Sequence, residues 1–332
     1  MAIEPIRVGA VGAGRMGRGI ALAFAAAGHP VTLIDIKPRS AEQTNLLGRE
    51  AIEEIERDLA FLVSVGALGE AGAQAAIGRV RFVGRDDAPV AIAQSELLFE
   101  GVPETVAAKA ECFAFLCAHA TADCIIASTT STIDPETLAP LVSLPARFLN
   151  AHWLNPAHLM PLVEVAPASA TAPETVARVR AILTAIGKVP VTCKGSPGYI
   201  VPRIQAMAMN EAARMVEEGV ATAEDIDTAV RVGFGLRFAV LGLLEFIDWG
   251  GGDILHHASA FLSGTLDPHR FAAPAIVGDN MAQGRRGLRD GAGFYDYAGV
   301  DVAAYRAARL TDFVAMLRQR QLMPHFVEDD AQ

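Results

Sequence analysis

Short apolar runs alternate with helical patterns through the first half of the chain. The runs span four to six residues, and the segments between them repeat apolar residues at helical spacing. This alternation is typical of βαβ units and predicts a parallel sheet covered by helices. The predicted strands are residues 6–11, 31–35, 97–100, 124–128, 147–151, 162–166 and 189–192.

A long helical segment, from about residue 40 to residue 74, follows the second predicted strand. Leu47, Ile55 and Leu62 are spaced for one face of a helix, whereas Glu50 and Glu54 lie on other faces. A crossover helix between parallel strands needs only about a dozen residues. We therefore expect an insertion that projects from the sheet.

The pattern changes after the Gly-Ser-Pro-Gly sequence at residues 195–198. Only helical patterns follow, and Thr222 with Asp225 is typical of a capping box that opens a helix. A chain of 332 residues also exceeds the size at which one hydrophobic core usually keeps growing. We predict an α/β domain with a long helical excursion over residues 1–194, then an all-α domain over residues 195–332.

Charge and composition exclude several classes of protein. Asp and Glu number 38 against 28 Lys and Arg, a formal net charge of −10, which disfavours nucleic-acid binding because that binding depends on clustered cations. No stretch reaches the roughly 18 apolar residues of a membrane span, and no signal-peptide pattern is present, so we expect a soluble, cytoplasmic protein. The four cysteines show no CxxC pair and no metal-ligand spacing, which predicts reduced thiols and no metal site.

The first predicted strand runs into a G-x-G-x-x-G sequence that opens an apolar helix. In a dinucleotide-binding turn, Gly12 would permit the tight turn, Gly14 would let a pyrophosphate approach the backbone, and Gly17 would allow close packing of helix and strand. Arg15 and Met16 lie between these glycines and are included in the predicted cofactor site. A strand before the motif and a helix after it favour a Rossmann domain over a structural turn.

Asp35 bears on the identity of the cofactor. It ends the next predicted strand, 23 residues beyond Gly12, where a carboxylate binds the ribose hydroxyls and repels a 2′-phosphate. We therefore predict NAD rather than NADP. Lys37 and Arg39 are close enough in sequence to soften this preference.

A histidine and a glutamate lie within two apolar strands. His152 is near the end of one strand, and Glu164 interrupts the next strand twelve residues later. A carboxylate there is costly without a partner, and a histidine is suitable because the carboxylate fixes the tautomer and stabilises the imidazolium. Each residue alone also fits a structural role: a surface Glu on an edge strand, or a core His bonded to the backbone.

The chain resembles the L-3-hydroxyacyl-CoA dehydrogenase family over nearly its whole length. The resemblance includes the glycine motif, Phe-Glu-Gly-Val-Pro-Glu at 99–104, Ser-Thr-Thr-Ser at 128–131, His-Trp-Leu-Asn-Pro at 152–156, Ser-Pro-Gly-Tyr at 196–199 and the motif at 291–297. It implies the two-domain fold above and a homodimer formed through the helical domain. It also implies that the enzyme moves a hydride between NAD and the 3-carbon of its substrate.

The same resemblance implies roles for individual residues. His152 corresponds to the catalytic acid/base, Glu164 to the carboxylate that orients it, and Ser131 to the serine near the reacting oxygen. Glu104 and Lys109 correspond to cofactor contacts.

Two departures from the family pattern concern the substrate. Pro202 stands where the family usually has an Asn that reaches the active site, and Asn155 or Asn210 would have to compensate. The sequence around Arg237 is similar to that of relatives that oxidise free hydroxy acids, such as L-gulonate 3-dehydrogenase and carnitine dehydrogenase. In such an enzyme the Arg237 guanidinium would bind the carboxylate of the substrate.

Three functions therefore stay open. The first is a dehydrogenase of short-chain L-3-hydroxyacyl-CoA, such as 3-hydroxybutyryl-CoA, in fatty acid metabolism. The second is a dehydrogenase of a free 3-hydroxy acid. The helical excursion has almost no Lys with which to bind the phosphates of CoA, which agrees with a substrate that lacks CoA. The third is a non-catalytic, crystallin-like or NAD-sensing protein, which Ser131, His152 and Glu164 argue against.

Overall fold

A computed structural model describes residues 4–325 of the chain. These residues form two compact units that divide between Ala208 and Met209. The division falls inside a helix, somewhat after the predicted boundary at residue 194. No helix among the described residues is long and apolar enough to cross a membrane.

The first unit is built on an eight-stranded sheet. The strands lie in the order β3-β2-β1-β4-β5-β6-β7-β8, and all neighbours are parallel except β6 and β7. Its strands are β1 (Val8–Val11), β2 (Val31–Ile34), β3 (Val80–Val83), β4 (Leu97–Glu100), β5 (Ile125–Ser128), β6 (Phe148–Trp153), β7 (Leu162–Pro167) and β8 (Val189–Thr192). Its helices are α1 (Arg15–Ala26), α2 (Ala41–Ser64), α3 (Glu70–Ile77), α4 (Ala88–Gln94), α5 (Val106–His119), α6 (Pro135–Leu138) and α7 (Pro173–Ala185), and α8 (Val201–Glu217) begins in this unit.

The strand order fixes where a ligand can bind. The first six strands have the order of a doubly wound dinucleotide-binding sheet, in which the direction of winding reverses between β1 and β4. At this reversal the loops after the two strands diverge, and a crevice opens at their carboxyl ends. The predicted α/β Rossmann fold is confirmed, and the glycine motif lies directly at this crevice.

The helical excursion consists of two helices rather than one. Helix α2 begins at a capping box, in which the Ser40 side chain accepts from the Gln43 backbone and the Gln43 side chain accepts from the Ser40 backbone. Ile55 and Leu59 of α2 are buried in the same apolar cluster as Ala76 of α3, so the inner faces of the two helices pack together on the apolar core.

The hydrophobic pattern of the sequence does not predict strand β3. This strand is short, and its residues Val80, Arg81 and Phe82 are only partly buried or exposed because β3 is the edge of the sheet. Such a strand produces neither a long apolar run nor a strict alternation. Its parallel pairing with β2 extends the sheet.

The second unit is helical, as predicted. Thr222 caps a helix by accepting from the Asp225 backbone, in agreement with the predicted helix start. Asp248 is buried and accepts hydrogen bonds from the backbone of Phe294 and Tyr295, which holds the motif at 291–297 against the helices. Besides the rest of α8, the helices are α9 (Ala223–Ala229), α10 (Gly235–Val240), α11 (Leu243–Gly250), α12 (Gly252–Thr265), α13 (Pro268–Phe271), α14 (Ala275–Ala282) and α15 (Val302–Gln319), and a π-helical turn (Val230–Phe234) joins α9 to α10.

Candidate active site

The three glycines of the motif have the geometry that a dinucleotide requires. Gly12 has a φ of +101°, a left-handed conformation that disfavours other residues, and a Cβ on Gly17 would lie 1.9 Å from the Gly12 carbonyl oxygen. A Cβ on Gly14, at the start of α1, would meet no protein atom within 4 Å. The space over Gly14 is therefore open to a ligand, while Gly12 and Gly17 are required by the fold itself.

A cavity of about 430 Å³ lies beside this turn. Its walls include Gly12, Gly14 and Asp35, so the residues predicted to hold the pyrophosphate and the ribose line one space. Asp35 is 5% exposed, and its Oδ2 atom accepts from Arg39 Nε at 2.5 Å. The cavity, the free helix start and the carboxylate together fit a bound dinucleotide.

The side chains of Arg15 and Met16, also predicted for the cofactor site, do not line this cavity, and their contact with the cofactor stays a prediction. Met16 is partly buried and packs against the apolar core. Arg15 is exposed and lines a second cavity of about 560 Å³, together with Asn155 and other residues of the loop after β6. Arg18, which no sequence motif singled out, lines both cavities and donates to the Ala13 carbonyl.

His152 and Glu164 face each other on the antiparallel strands β6 and β7. Directly opposite residues project to the same face with Cβ atoms about 4.5–5.5 Å apart, which explains why a spacing of twelve residues brings them into contact. His152 Nδ1 and Glu164 Oε2 are 2.7 Å apart, and both side chains are buried. The alternative of a surface glutamate does not fit, because Glu164 is 0% exposed.

Glu164 has further partners at the start of α8. Its Oε1 atom accepts from the backbone N–H of Ile200 at 2.9 Å and of Val201 at 2.8 Å. Burial by itself raises the pKa of this carboxyl, but the hydrogen bonds from His152, Val201 and Ile200 outweigh it and hold the pKa below its usual value. Glu164 is therefore an ionised acceptor, and the proton on His152 Nδ1 must point toward it.

Pro202 has a local explanation. It is the second residue of α8, within the first turn, where a backbone N–H has no partner inside the helix. Proline is thus compatible with the helix start that Glu164 caps, although it supplies no side-chain polar group.

Ser131 lies in a loop that Glu104 holds in place. The Glu104 Oε1 atom accepts from the backbone N–H of Ser131 at 2.9 Å and of Thr132 at 3.1 Å, and from the Thr130 hydroxyl. Burial opposes ionisation, but the Thr130 hydrogen bond, the Lys109 charge and the backbone donors lower the pKa of Glu104 overall. In this structure Glu104 positions the serine loop, and its predicted contact with the cofactor stays a prediction.

Lys109 forms a buried ion pair with Glu100, a residue that no sequence motif singled out for its charge. The ammonium is 2.9 Å from Glu100 Oε1, and it is 3.5 Å from the nearest Glu104 oxygen. The Ser128 hydroxyl donates to Glu100 Oε2 at 2.6 Å. Glu100, Lys109 and Ser128 are each at most 1% exposed, so this network holds the ends of β4 and β5 together beneath the crevice.

Tyr199 connects the serine loop to the histidine. Its ring stacks on that of His152, with 5.7 Å between centroids and an interplanar angle of 25°. Its hydroxyl donates to the Ile133 carbonyl oxygen at 2.9 Å, and burial raises its pKa. The sequence predicts no role for Tyr199 beyond the family resemblance. Gly198 and Tyr199, with φ of +75° and +41°, form the left-handed turn that aims this ring.

The other predicted substrate residues are exposed. Asn155 precedes a cis peptide bond to Pro156 in the loop that follows His152. Asn210 lies on α8 and Arg237 on α10, within the second unit, where the Arg237 guanidinium lies 5.7 Å from the Phe246 ring centroid. Their contacts with a substrate stay predictions.

Comparisons with known proteins cover both units. The family description "3-hydroxyacyl-CoA dehydrogenase, NAD binding domain" matches residues 7–196, and "3-hydroxyacyl-CoA dehydrogenase, C-terminal domain" matches residues 198–297. Among similar proteins, the 5-formyl-3-hydroxy-2-methylpyridine 4-carboxylate 5-dehydrogenase of Mesorhizobium japonicum is 34% identical over 93% of this chain and 96% of its own length. The 3-hydroxybutyryl-CoA dehydrogenase of Mycobacterium tuberculosis is 34% identical over 88% of this chain and 98% of its own.

A solved structure gives the same result. The crystal structure of the 3-hydroxyacyl-CoA dehydrogenase of Archaeoglobus fulgidus superimposes with a TM-score of 0.73 at 29% identity, over 96% of this chain and 100% of the other. The resemblance found in the sequence is thereby confirmed. The chain belongs to the 3-hydroxyacyl-CoA dehydrogenase family of NAD-dependent oxidoreductases, and its first domain is that family's NAD-binding domain.

Proposed function

We propose that the chain catalyses the reversible, NAD-dependent oxidation of the hydroxyl at carbon 3 of an L-3-hydroxyacyl substrate. The observation that carries this proposal is the buried His152–Glu164 pair, 2.7 Å between Nδ1 and Oε2. It lies on the sheet whose crevice holds the dinucleotide cavity. An orienting carboxylate behind a histidine is an arrangement for moving protons.

The protein's part in this reaction is to hold and transfer one proton. With Nδ1–H directed at Glu164, His152 Nε2 is available to take the proton of the 3-hydroxyl during oxidation and to return it during reduction. The charge of Glu164 stabilises the imidazolium that forms. When bound, NAD would accept the hydride that leaves carbon 3 during oxidation, and NADH would return it during reduction. Ser131 is the residue proposed to bind the reacting oxygen.

The first proposed substrate class is a short-chain CoA thioester. It is supported by the matches to both family domains and by relatives named for 3-hydroxybutyryl-CoA or 3-hydroxyacyl-CoA. With such a substrate the enzyme serves fatty acid metabolism.

The second class is a free hydroxy acid, and a specific observation favours it. Helices α2 and α3 carry seven acidic residues (Glu42, Glu50, Glu53, Glu54, Glu56, Asp58 and Glu70) against Arg49 and Arg57. Such a surface repels CoA phosphates. The Mesorhizobium relative, moreover, is named for a carboxylate that is not a thioester.

A substrate panel separates the two classes. Turnover is measured with acetoacetyl-CoA and NADH, and with free 3-hydroxy acids and NAD, for the wild type and for Arg237→Met. If the substrate is a free acid, loss of the Arg237 guanidinium removes roughly 1.5–3 kcal/mol of binding, or one to two decades of kcat/KM, on the acids alone. Arg231→Met, an exposed arginine of the neighbouring turn, is the matched control.

The outcomes are distinct. The thioester is supported if the wild type turns over acetoacetyl-CoA faster than any free acid and if Arg237→Met leaves this turnover unchanged. Turnover confined to free acids and lost in Arg237→Met supports the second class. No turnover of either class, in a protein that binds NADH, refutes the proposed activity.

We also propose a homodimer formed through the helical domain, in the cytoplasm. The second unit exposes large apolar side chains that an interface would cover, among them Val220, Phe234, Ile254, Phe261 and Leu266. Four free thiols suit a reducing compartment. Analytical ultracentrifugation tests the assembly, and a monomer at micromolar concentration would contradict it.

A further inference from the structure

The loop that carries Ser131 is held by a side chain at each of its ends. At one end, Asn150 of β6 donates from Nδ2 to the Thr130 carbonyl oxygen at 3.2 Å. At the other end, the Tyr199 hydroxyl donates to the Ile133 carbonyl oxygen at 2.9 Å. Ser131 therefore lies between two anchored points of the backbone.

Both anchoring side chains are also connected to His152. Asn150 precedes His152 by two residues on β6, so the two side chains project to the same face of the sheet. The Tyr199 ring stacks on the His152 ring, with 5.7 Å between centroids. Burial raises the pKa of the Tyr199 hydroxyl, and the nearby Asn150 amide opposes this rise. The same two side chains thus contact the serine loop and lie beside the histidine.

Packing alone does not explain an amide at position 150. The Asn150 side chain is buried at 0% exposure, and its NH₂ group must face the Thr130 carbonyl oxygen, so Oδ1 points the other way. Among the described residues, no donor reaches Oδ1. A buried acceptor without a donor destabilises a fold, and a leucine of similar size would avoid this cost. The contact with the serine loop therefore accounts for a polar side chain here.

We propose that Asn150 and Tyr199 are positioning residues, which together form a clamp that sets the distance between Ser131 and His152. This inference rests on the proposed function, in which Ser131 and His152 meet at the reacting oxygen. Both groups must be placed correctly, and an error of about 1 Å can cost roughly 100-fold in rate. The clamp fixes their geometry before the substrate binds.

Steady-state kinetics test the catalytic consequence, on whichever substrate class the wild type turns over. Asn150→Ala removes the contact at Thr130, and Tyr199→Phe removes the contact at Ile133 while it keeps the ring beside His152. In each variant we expect kcat to fall roughly 10- to 100-fold. The ratio kcat/KM should fall equally, because the misplaced groups act in the transition state. Asn150→Leu, which has a similar volume, replaces Asn150→Ala if the smaller residue leaves the protein unfolded.

Hydrogen exchange tests the clamp itself and needs no turnover. The backbone N–H groups of Ser131 and Thr132 donate to Glu104, so their exchange reports how firmly the loop is held. In Asn150→Ala and in Tyr199→Phe, we expect these amides to exchange roughly 2- to 10-fold faster, since each variant loses one hydrogen bond of the loop. If the wild type turns over neither substrate class, the proposed function fails, and the exchange rates still decide whether the clamp exists.

Thr175→Val is the matched control. Thr175 is 3% exposed, and its hydroxyl donates to the Ala146 carbonyl oxygen at 2.9 Å, before the start of β6. Like Asn150→Ala, the control loses a buried hydrogen bond to a backbone carbonyl, but this bond does not involve the serine loop. Its melting temperature should fall, whereas its kcat and the exchange of Ser131 and Thr132 should equal those of the wild type.

Two results would overturn the proposal. One is a wild-type kcat, or wild-type exchange of the Ser131 and Thr132 amides, in a folded variant of Asn150 or in Tyr199→Phe. The other is an equal loss of kcat in Thr175→Val, because the effect would then follow from lost stability rather than from the position of the serine.

Discussion

Replacing Glu164 with glutamine tests the role of the buried carboxylate while preserving its size. The ionised side chain accepts three hydrogen bonds: Oε2 from His152 Nδ1 and Oε1 from the backbone of Ile200 and Val201. An amide supplies one acceptor and one donor, so no orientation of the introduced side chain reproduces this set. One orientation must change the tautomer of His152, and the other must leave donor facing donor.

The two orientations fail in different ways. If the amide oxygen faces the α8 backbone, the NH₂ group meets His152 and forces Nδ1 to accept, which places the proton on Nε2, the atom that must receive it from the substrate. If the oxygen faces His152, the NH₂ group meets two N–H donors at the start of α8. In both cases the imidazolium loses its counter-charge.

The expected loss follows from these contacts. A hydrogen bond to a charged group contributes about 1.5–3 kcal/mol, which alone corresponds to one or two decades in rate. The lost hydrogen bond and the wrong His152 tautomer act together, so we expect kcat of Glu164→Gln to fall by roughly 10²–10⁴-fold. The NADH dissociation constant should be unchanged, because Glu164 does not line the dinucleotide cavity.

Stability gives a second measurement on the same variant. The folded-state pKa of Glu164 lies below its ordinary value of 4.5, so its charge stabilises the fold above about pH 4.5, and this contribution is lost as the pH falls through the lower folded value. The wild type should therefore exceed Glu164→Gln in free energy of unfolding at neutral pH, and the difference should shrink in acid. Glu111→Gln, on the exposed face of α5, is the control. Normal kcat in Glu164→Gln would refute the orienting role.

Two further predictions concern the glycine motif and a buried lysine. Gly17→Ala would place a Cβ 1.9 Å from a backbone oxygen, so its melting temperature should fall sharply. Gly14→Ala should melt like the wild type but bind NADH more weakly, because its Cβ fills space that is open to the ligand. Equal melting temperatures for the two variants would contradict this. Lys188 is buried and donates to the carbonyls of Ala157 at 2.7 Å and Met160 at 2.8 Å in the loop after β6. Lys188→Met should therefore lose about 2–4 kcal/mol in urea unfolding, and an unchanged urea midpoint would contradict it.

The parts of the site that could be predicted are those that depend on local sequence. The glycine motif is continuous, and its three positions can be assigned from backbone requirements alone. Glu164 was recognisable because a carboxylate in an apolar strand needs a partner, and the twelve-residue spacing to His152 corresponds to one cross-strand pair.

The parts that escaped prediction depend on contacts between distant segments. The Tyr199 hydroxyl donates to the Ile133 carbonyl oxygen, and the Lys188 ammonium donates to carbonyl oxygens in the loop after β6. Both acceptors are backbone atoms, which every residue has, so the sequence does not identify them. Glu100 could have been noticed, since it ends an apolar strand nine residues before Lys109. The edge strand β3 was missed because its exposed side chains resemble those of a loop.

The central claim is that His152 is the residue that transfers the proton, whereas the dinucleotide cavity is lined by other residues, among them Gly12, Gly14 and Asp35. His152→Ala tests it most directly, with NADH titration and steady-state turnover measured on one preparation and on whichever substrate class the wild type uses. We predict an NADH dissociation constant like that of the wild type and a kcat lower by roughly 10²–10⁴-fold, the contribution of a general acid–base group. Turnover close to that of the wild type, in a variant that binds NADH normally, would contradict the claim.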